Sequence, residues 1–121
     1  MKERILVIED NPQVADSLCY ILGKEGYQVT ACFDGLSALN RMEHEDYDLI
    51  ITDLLVPFVS GIKLIRHIRL SKPVLPIFVI SSVMEDKVIE HIRLLGVYDF
   101  LQKPFNARDL CADIKKRLLV A

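Results

Sequence analysis

A chain of 121 residues, about half of them apolar and a quarter charged, has the size and balance of one globular domain able to bury a core. Its net charge of −2 supplies no general field for nucleic acid, and no apolar run approaches the roughly 20 residues that span a bilayer. Cys19, Cys32 and Cys111 are odd in number and widely spaced, with no C-x-x-C pair, which predicts reduced core thiols rather than disulfides or zinc ligands.

The amino terminus, "MKER", leads straight into a strand pattern without a cleavable signal, so the expected location is the cytoplasm. The first strand, "RILVIE", ends in two adjacent acids, Glu9 and Asp10. Asn11-Pro12 is a start signal for a helix whose apolar face carries Val14, Leu18 and Leu22, with Ala15 and Cys19 beside them. Gly23 and Gly26 are expected to end it. "YQVTAC" predicts a second strand, ending at Cys32-Phe33-Asp34, and "DLIIT" a third, ending at Asp53. Gly35, Gly61 and Gly96 mark junctions between elements, and Pro73 and Pro76 bracket the entry to the fourth strand. That strand, "LPIFVIS", ends at Ser81 with Ser82 after it. Met84, Val88, Ile92 and Leu95 form the inner face of the next helix. The fifth strand, "YDFLQ", leads into Lys103-Pro104, and Leu110, Ile114 and Leu118 line the last helix with Ala107 and Cys111. His44, His67 and His91 fall on separate helices with no ligand spacing and are expected in solvent, as are Lys115 to Arg117.

Five βα units in succession predict an α/β fold with a parallel sheet covered on both faces, because strands one, three and four are continuously apolar. Right-handed crossovers favour an open, doubly wound five-stranded sheet in the order 2-1-3-4-5. Residues 1–121 read as one domain. In such sheets the site lies at the carboxyl ends of the strands, where their order reverses.

Three carboxylates (Glu9, Asp10 and Asp53), the Ser81 hydroxyl and the Lys103 ammonium therefore converge on one crevice. The carboxylates repel one another unless a proton or cation intervenes. An all-oxygen set with few protein ligands suits Mg²⁺. Lys103 can pair with phosphate oxygens and Ser81 can donate to them. An aspartate between a divalent cation and a lysine can attack phosphorus and form an acyl phosphate.

At these residues the sequence resembles the receiver domains of two-component response regulators, with their flavodoxin-like (βα)5 fold. The likeness is carried by "LVIEDN", "DLIITDLLVP…SG", "PIFVISS" and "GVYDFLQKPF", in order and each at a strand end. It implies that Asp53 accepts a phosphoryl group from a histidine kinase or phosphotransfer protein. It implies Mg²⁺ held by Asp10 and Asp53 directly, by Glu9 through water and by the Leu55 carbonyl. Ser81 and Lys103 would contact the phosphoryl oxygens, and Phe100 would be the switch aromatic. Lys103-Pro104 resembles the family's cis peptide. The function implied is a signalling switch acting through helix 4, strand 5 and helix 5, not an enzyme in its own right. The downstream effector stays open, with no membrane or direct nucleic-acid role. The alternative is a pseudo-receiver that docks proteins without taking phosphate.

Some positions depart from the family's pattern. Phe58 and Ser60 replace Gly and Asp in the loop after Asp53, Ser82 replaces a smaller residue, and Leu55 and Val83 are apolar where many relatives are polar. Asp113 stands where the winged-helix transcription-factor branch has an arginine partner for Asp99. That pair would repel, so that branch's dimer is not carried over.

Overall fold

The computed structural model describes residues 2–56, 59–82 and 85–119. Strand β1 (Arg4–Ile8) leads to helix α1 (Pro12–Lys24), β2 (Gln28–Cys32) to α2 (Gly35–His44) and β3 (Leu49–Thr52) to α3 (Gly61–Ser71). β4 (Ile77–Ser81) then leads to α4 (Asp86–Leu94), and β5 (Asp99–Gln102) to α5 (Ala107–Leu118). All pairings are parallel and the order is β2-β1-β3-β4-β5, as the alternation of elements predicts.

Successive strand residues point to opposite faces of a sheet, and β1 shows what each face meets. Leu6 and Ile8 join Ile50, Ile77 and Val79 against Leu64, Ile65 and Ile68 of α3, Ala38 of α2 and Ile92 of α4. Ile5 and Val7 join Leu49, Ile51, Phe78 and Ile80 against Leu18 and Leu22 of α1 and Leu110 and Ile114 of α5. Two cores share one sheet, which is why the central strands read as unbroken apolar runs. Leu18, Leu22, Leu110 and Ile114 are all fully buried. At about 1.5–3 kcal/mol for each such side chain, packing holds these helices in place more than helix propensity does. The outer strands β2 and β5 are mostly half-buried.

Asn11 caps α1 as expected, accepting from the N–H groups of Gln13 at 2.9 Å and Val14 at 3.3 Å. Gly23, expected to end that helix, lies within its last turn. Gly26 is the terminator because it takes the left-handed backbone, with φ 96°. Cys32 is buried, while Cys19 and Cys111 are half-buried, and all three are free thiols. The three histidines are exposed. On α4, Ile92 is buried and Val88 and Leu95 are half-buried, while Met84 lies outside the described residues. Among the described residues no helix is long and apolar enough to cross a membrane.

Candidate functional site

Register brings the site together. The pairing of Ile8 with Thr52 sets Glu9 level with Asp53, and the ladder continues past both strands. Asp53 N–H donates to Ile8 O at 3.0 Å, and Glu9 N–H to Cys32 O at 2.9 Å. The pairing of Ser81 with Gln102 sets Ser82 level with Lys103, whose N–H donates to Ser81 O at 2.9 Å. Backbone hydrogen bonds thus fix the heights of Glu9, Asp53 and Lys103 before any side chain is considered.

Lys103 Nζ lies 2.5 Å from Glu9 Oε1 and 2.6 Å from Asp53 Oδ2. The other carboxylate oxygens are also occupied. Asn11 N–H donates to Glu9 Oε2 at 3.1 Å, and Leu55 N–H donates to Asp53 Oδ1 at 3.0 Å. Glu9 and Asp53 are both buried. Two acids persist there because one ammonium and two backbone amides compensate their charge. Burial pushes the Glu9 carboxyl above its usual range, although the hydrogen bond from Lys103 opposes this. Burial works against the Lys103 ammonium, but its hydrogen bonds to Asp53 and Glu9 outweigh that and raise its pKa overall.

Asp10 is exposed and lines an open cleft of ≈ 750 Å³ with Glu9, Asp53, Leu55, Ser82 and Lys103. Ser81, expected in the crevice, is fully buried at the end of β4, and it is Ser82 that lines the cleft. Leu55 stands exposed on the rim, so its backbone rather than its side chain serves Asp53. Phe100 is half-buried against the α3–α4 side of the core and lines a separate cleft of ≈ 520 Å³ with Ile89, Ile92 and Arg93. The Lys103-Pro104 bond is cis. Asp34, at the end of β2, caps α2 by accepting from Ser37 N–H at 2.7 Å, which accounts for an acid outside the cluster. Burial, and then a hydrogen bond with Asp113, hold the Asp99 carboxyl above its usual range, so that pair is bonded as well as repulsive.

The loop after Asp53 is closed at its ends. Gly61 N–H donates to Leu54 O at 3.2 Å, and a Cβ on Gly61 would stand 2.4 Å from that oxygen and 2.5 Å from Leu54 Cα. Ser60 caps α3, accepting from Lys63 N–H at 3.3 Å. Phe58 and Val83 lie outside the described residues. The amide donors from Asn11 and Leu55 escaped sequence reasoning because a backbone N–H carries no residue signature. Asn11 was visible only as a helix cap.

The sequence model of the response regulator receiver domain family matches residues 5–115. The chain belongs to this family. The receiver domain is 37% identical over 112 residues to the sensory transduction protein RegX3 of Mycolicibacterium smegmatis, covering 92% of this chain and 48% of that protein. It is 35% identical over 117 residues to the alkaline phosphatase synthesis transcriptional regulatory protein PhoP of Bacillus subtilis, covering 95% and 48%. The chain therefore spans about half the length of the curated relatives it matches. Among solved structures, it superposes on a CheY-like receiver domain protein from Methanospirillum hungatei with TM-score 0.94 at 26% identity, covering 98% of this chain and 94% of that one. A receiver protein from Pseudomonas putida gives 0.91 at 30% identity, covering 96% and 98%.

Receiver domains generally bind Mg²⁺ in this acidic cleft. The donors here fit in kind, since three carboxylates and a backbone carbonyl are all hard oxygens. Among the described residues no three acids stand at metal-holding spacing, and Lys103 takes the central place between Glu9 and Asp53. The two buried carboxylates already require a positive charge, which is the requirement a bound cation would meet.

Proposed function

We propose that residues 1–121 act as a phosphorylation-dependent switch in which Asp53 accepts a phosphoryl group from a histidine kinase or phosphotransfer protein in the cytoplasm. The observation that carries this reading is the environment of Asp53: a buried carboxylate at a strand end, held by an amide on one oxygen and an ammonium on the other, beside an open cleft. A carboxylate oxygen of Asp53 attacks the phosphorus of a phosphohistidine. The P–N bond breaks, the imidazole leaves and takes up a proton, and a mixed acyl phosphate forms. Lys103 is near enough to follow charge onto the phosphoryl oxygens, and Ser81 is the hydroxyl assigned to join it.

Glu9, Asp10, Asp53 and the Leu55 carbonyl are the groups assigned to Mg²⁺. When bound, it would offset the negative charge of the transferring group. Phosphorylation adds about −1.5 to −2 charges. Were Lys103 to leave Glu9 for the phosphoryl group, the β4–β5 edge would readjust, and Phe100, half-buried between the core and the separate cleft it lines, is the side chain assigned to register it. The readout face is then α4, β5 and α5. Loss of the phosphoryl group to water in the same cleft resets the switch.

The test is intact-mass spectrometry after exposure to a small phosphodonor with Mg²⁺. One base-labile phosphoryl adduct is expected, absent without Mg²⁺ and absent in Asp53→Asn. Equal labelling of Asp53→Asn refutes the assignment, and no labelling of the parent protein favours a docking module that never takes phosphate.

A further inference from the structure

Arg69, near the end of α3, spends its guanidinium on backbone carbonyls. Its Nε donates to Leu95 O at 3.1 Å and one terminal nitrogen donates to Gly96 O at 3.0 Å. The other terminal nitrogen is shared by Lys72 O, Pro73 O and Leu75 O, at 3.2, 2.9 and 2.9 Å. One side chain thus joins the end of α3, the loop into β4 and the end of α4. Gly96 is matched to it: its φ of 79° is left-handed, and a Cβ there would stand 3.4 Å from Arg69 Nε.

The two ends of α4 are held very differently. At the C-terminal end, Gly96 N–H returns to Arg93 O at 3.0 Å and Val97 N–H to Ile92 O at 3.4 Å, closing the helix. Arg69 takes two carbonyls that this closure does not use, those of Leu95 and Gly96. Ile92, the fully buried residue of α4, lies in the same turn. At the N-terminal end, Glu85 makes no side-chain cap bond, and Glu85, Asp86 and Lys87 are exposed. Uncapped, exposed turns open at low cost, and turns that are buried and bonded do not.

We propose that Arg69 is a positioning residue that anchors the C-terminal end of α4, so that α4 moves by pivoting there while its N-terminal end, next in the chain after β4 and its cleft, swings. The anchor stands independently of phosphorylation; only the cause of the swing rests on the reading of Asp53 given above.

Residue-resolved amide hydrogen exchange on the whole chain tests it. In the free protein, protection should rise along α4 from Val88 and Ile89 to Leu95–Val97. In Arg69→Met it should fall about tenfold or more at Leu95, Gly96 and Val97, with β1, β3 and α1 unchanged. Arg69→Lys, which keeps the charge but loses the planar fork, should behave like Arg69→Met. A flat profile along α4, a loss spread evenly over the chain, or full protection in Arg69→Lys would each overturn the proposal. A second arm adds Mg²⁺ and beryllofluoride to the unsubstituted protein. Changes should centre on the Val88 end, and changes largest at Leu95–Val97 would overturn the pivot. No change anywhere on the chain would count against Asp53 as phosphoacceptor, while the free-protein profile would still decide the anchor.

Discussion

Replacing Lys103 with Met removes one charge from the middle of the cleft while keeping an unbranched side chain. The side chains of Glu9 and Asp53 are 1% and 6% exposed, and that of Lys103 is 24% exposed. Removing one partner of a buried ion pair costs about 3–5 kcal/mol, against about 0–1 kcal/mol for an exposed pair. With Lys103 a quarter exposed, the lower end applies, about 3 kcal/mol at neutral pH. An unfolding entropy of about 2.1 cal/mol/K per residue gives about 0.25 kcal/mol/K for this chain, so the melting temperature should fall by about 12 °C. The loss should also depend on pH. Burial already holds the Glu9 carboxyl above its usual range, and the hydrogen bond from Lys103 is what restrains it. Without the lysine its folded pKa rises further. Between the unfolded and folded values the native protein then holds a proton that the unfolded chain has released, so rising pH favours unfolding. The variant should come closest to the parent at low pH and diverge as pH climbs through the Glu9 value. Adding Glu9→Gln to Lys103→Met should recover part of the loss by removing one unpaired charge. Thermal melts followed by circular dichroism from pH 5 to 8, with chelator present, measure all three. A fall of under about 3 °C at pH 7, a loss independent of pH, or no recovery in the double variant would refute this account.

Three further outcomes are expected. Gly61→Ala forces a methyl into the Leu54 backbone and should cost about 1–3 kcal/mol in urea unfolding, since overpacking costs that much where neighbours cannot give way. Leu55 lies exposed on the cleft rim and offers no polar side chain to orient an attacking water, so Leu55→Asn should shorten the lifetime of the phosphorylated form several-fold, followed by loss of the adduct mass. Burial and Asp113 hold Asp99 above its usual range, so the native state keeps that proton longer than the unfolded chain does. Stability should therefore decline as pH rises through the Asp99 value, and Asp99→Asn should flatten that slope in melts across pH 3.5 to 7.

Much of this was legible in the sequence for identifiable reasons. β1, β3 and β4 read as unbroken apolar runs because each is buried on two faces, and that fact implies both the parallel sheet and its covering helices. Glu9, Asp10 and Asp53 stood out because charge at the end of a buried strand is costly without a partner. Lys103 was legible as a member of the same crevice because it stands at the end of the fifth strand, but its seat between the two acids was not. Lys103 is separated from Glu9 by 94 residues and from Asp53 by 50, and its position between them follows from register and reach, not from local pattern. Ser82, just past the end of β4, lines the open cleft while Ser81 is buried behind it, a one-residue difference that two identical neighbours conceal. Arg69 left no trace at all, because its acceptors are carbonyls, which every residue has.

The tied loop between β3 and α3 has a consequence for how such domains diversify. Leu54 and Gly61 meet through a hydrogen bond at the loop's base, and Ser60 seats the start of α3. Asp53 is meanwhile held from below by the β1 ladder. Because Leu55 serves Asp53 through its backbone N–H, the side chain at that position can change without giving up the bond. A lineage can thus rewrite the exposed side chain on the cleft rim while the aspartate keeps its amide donor.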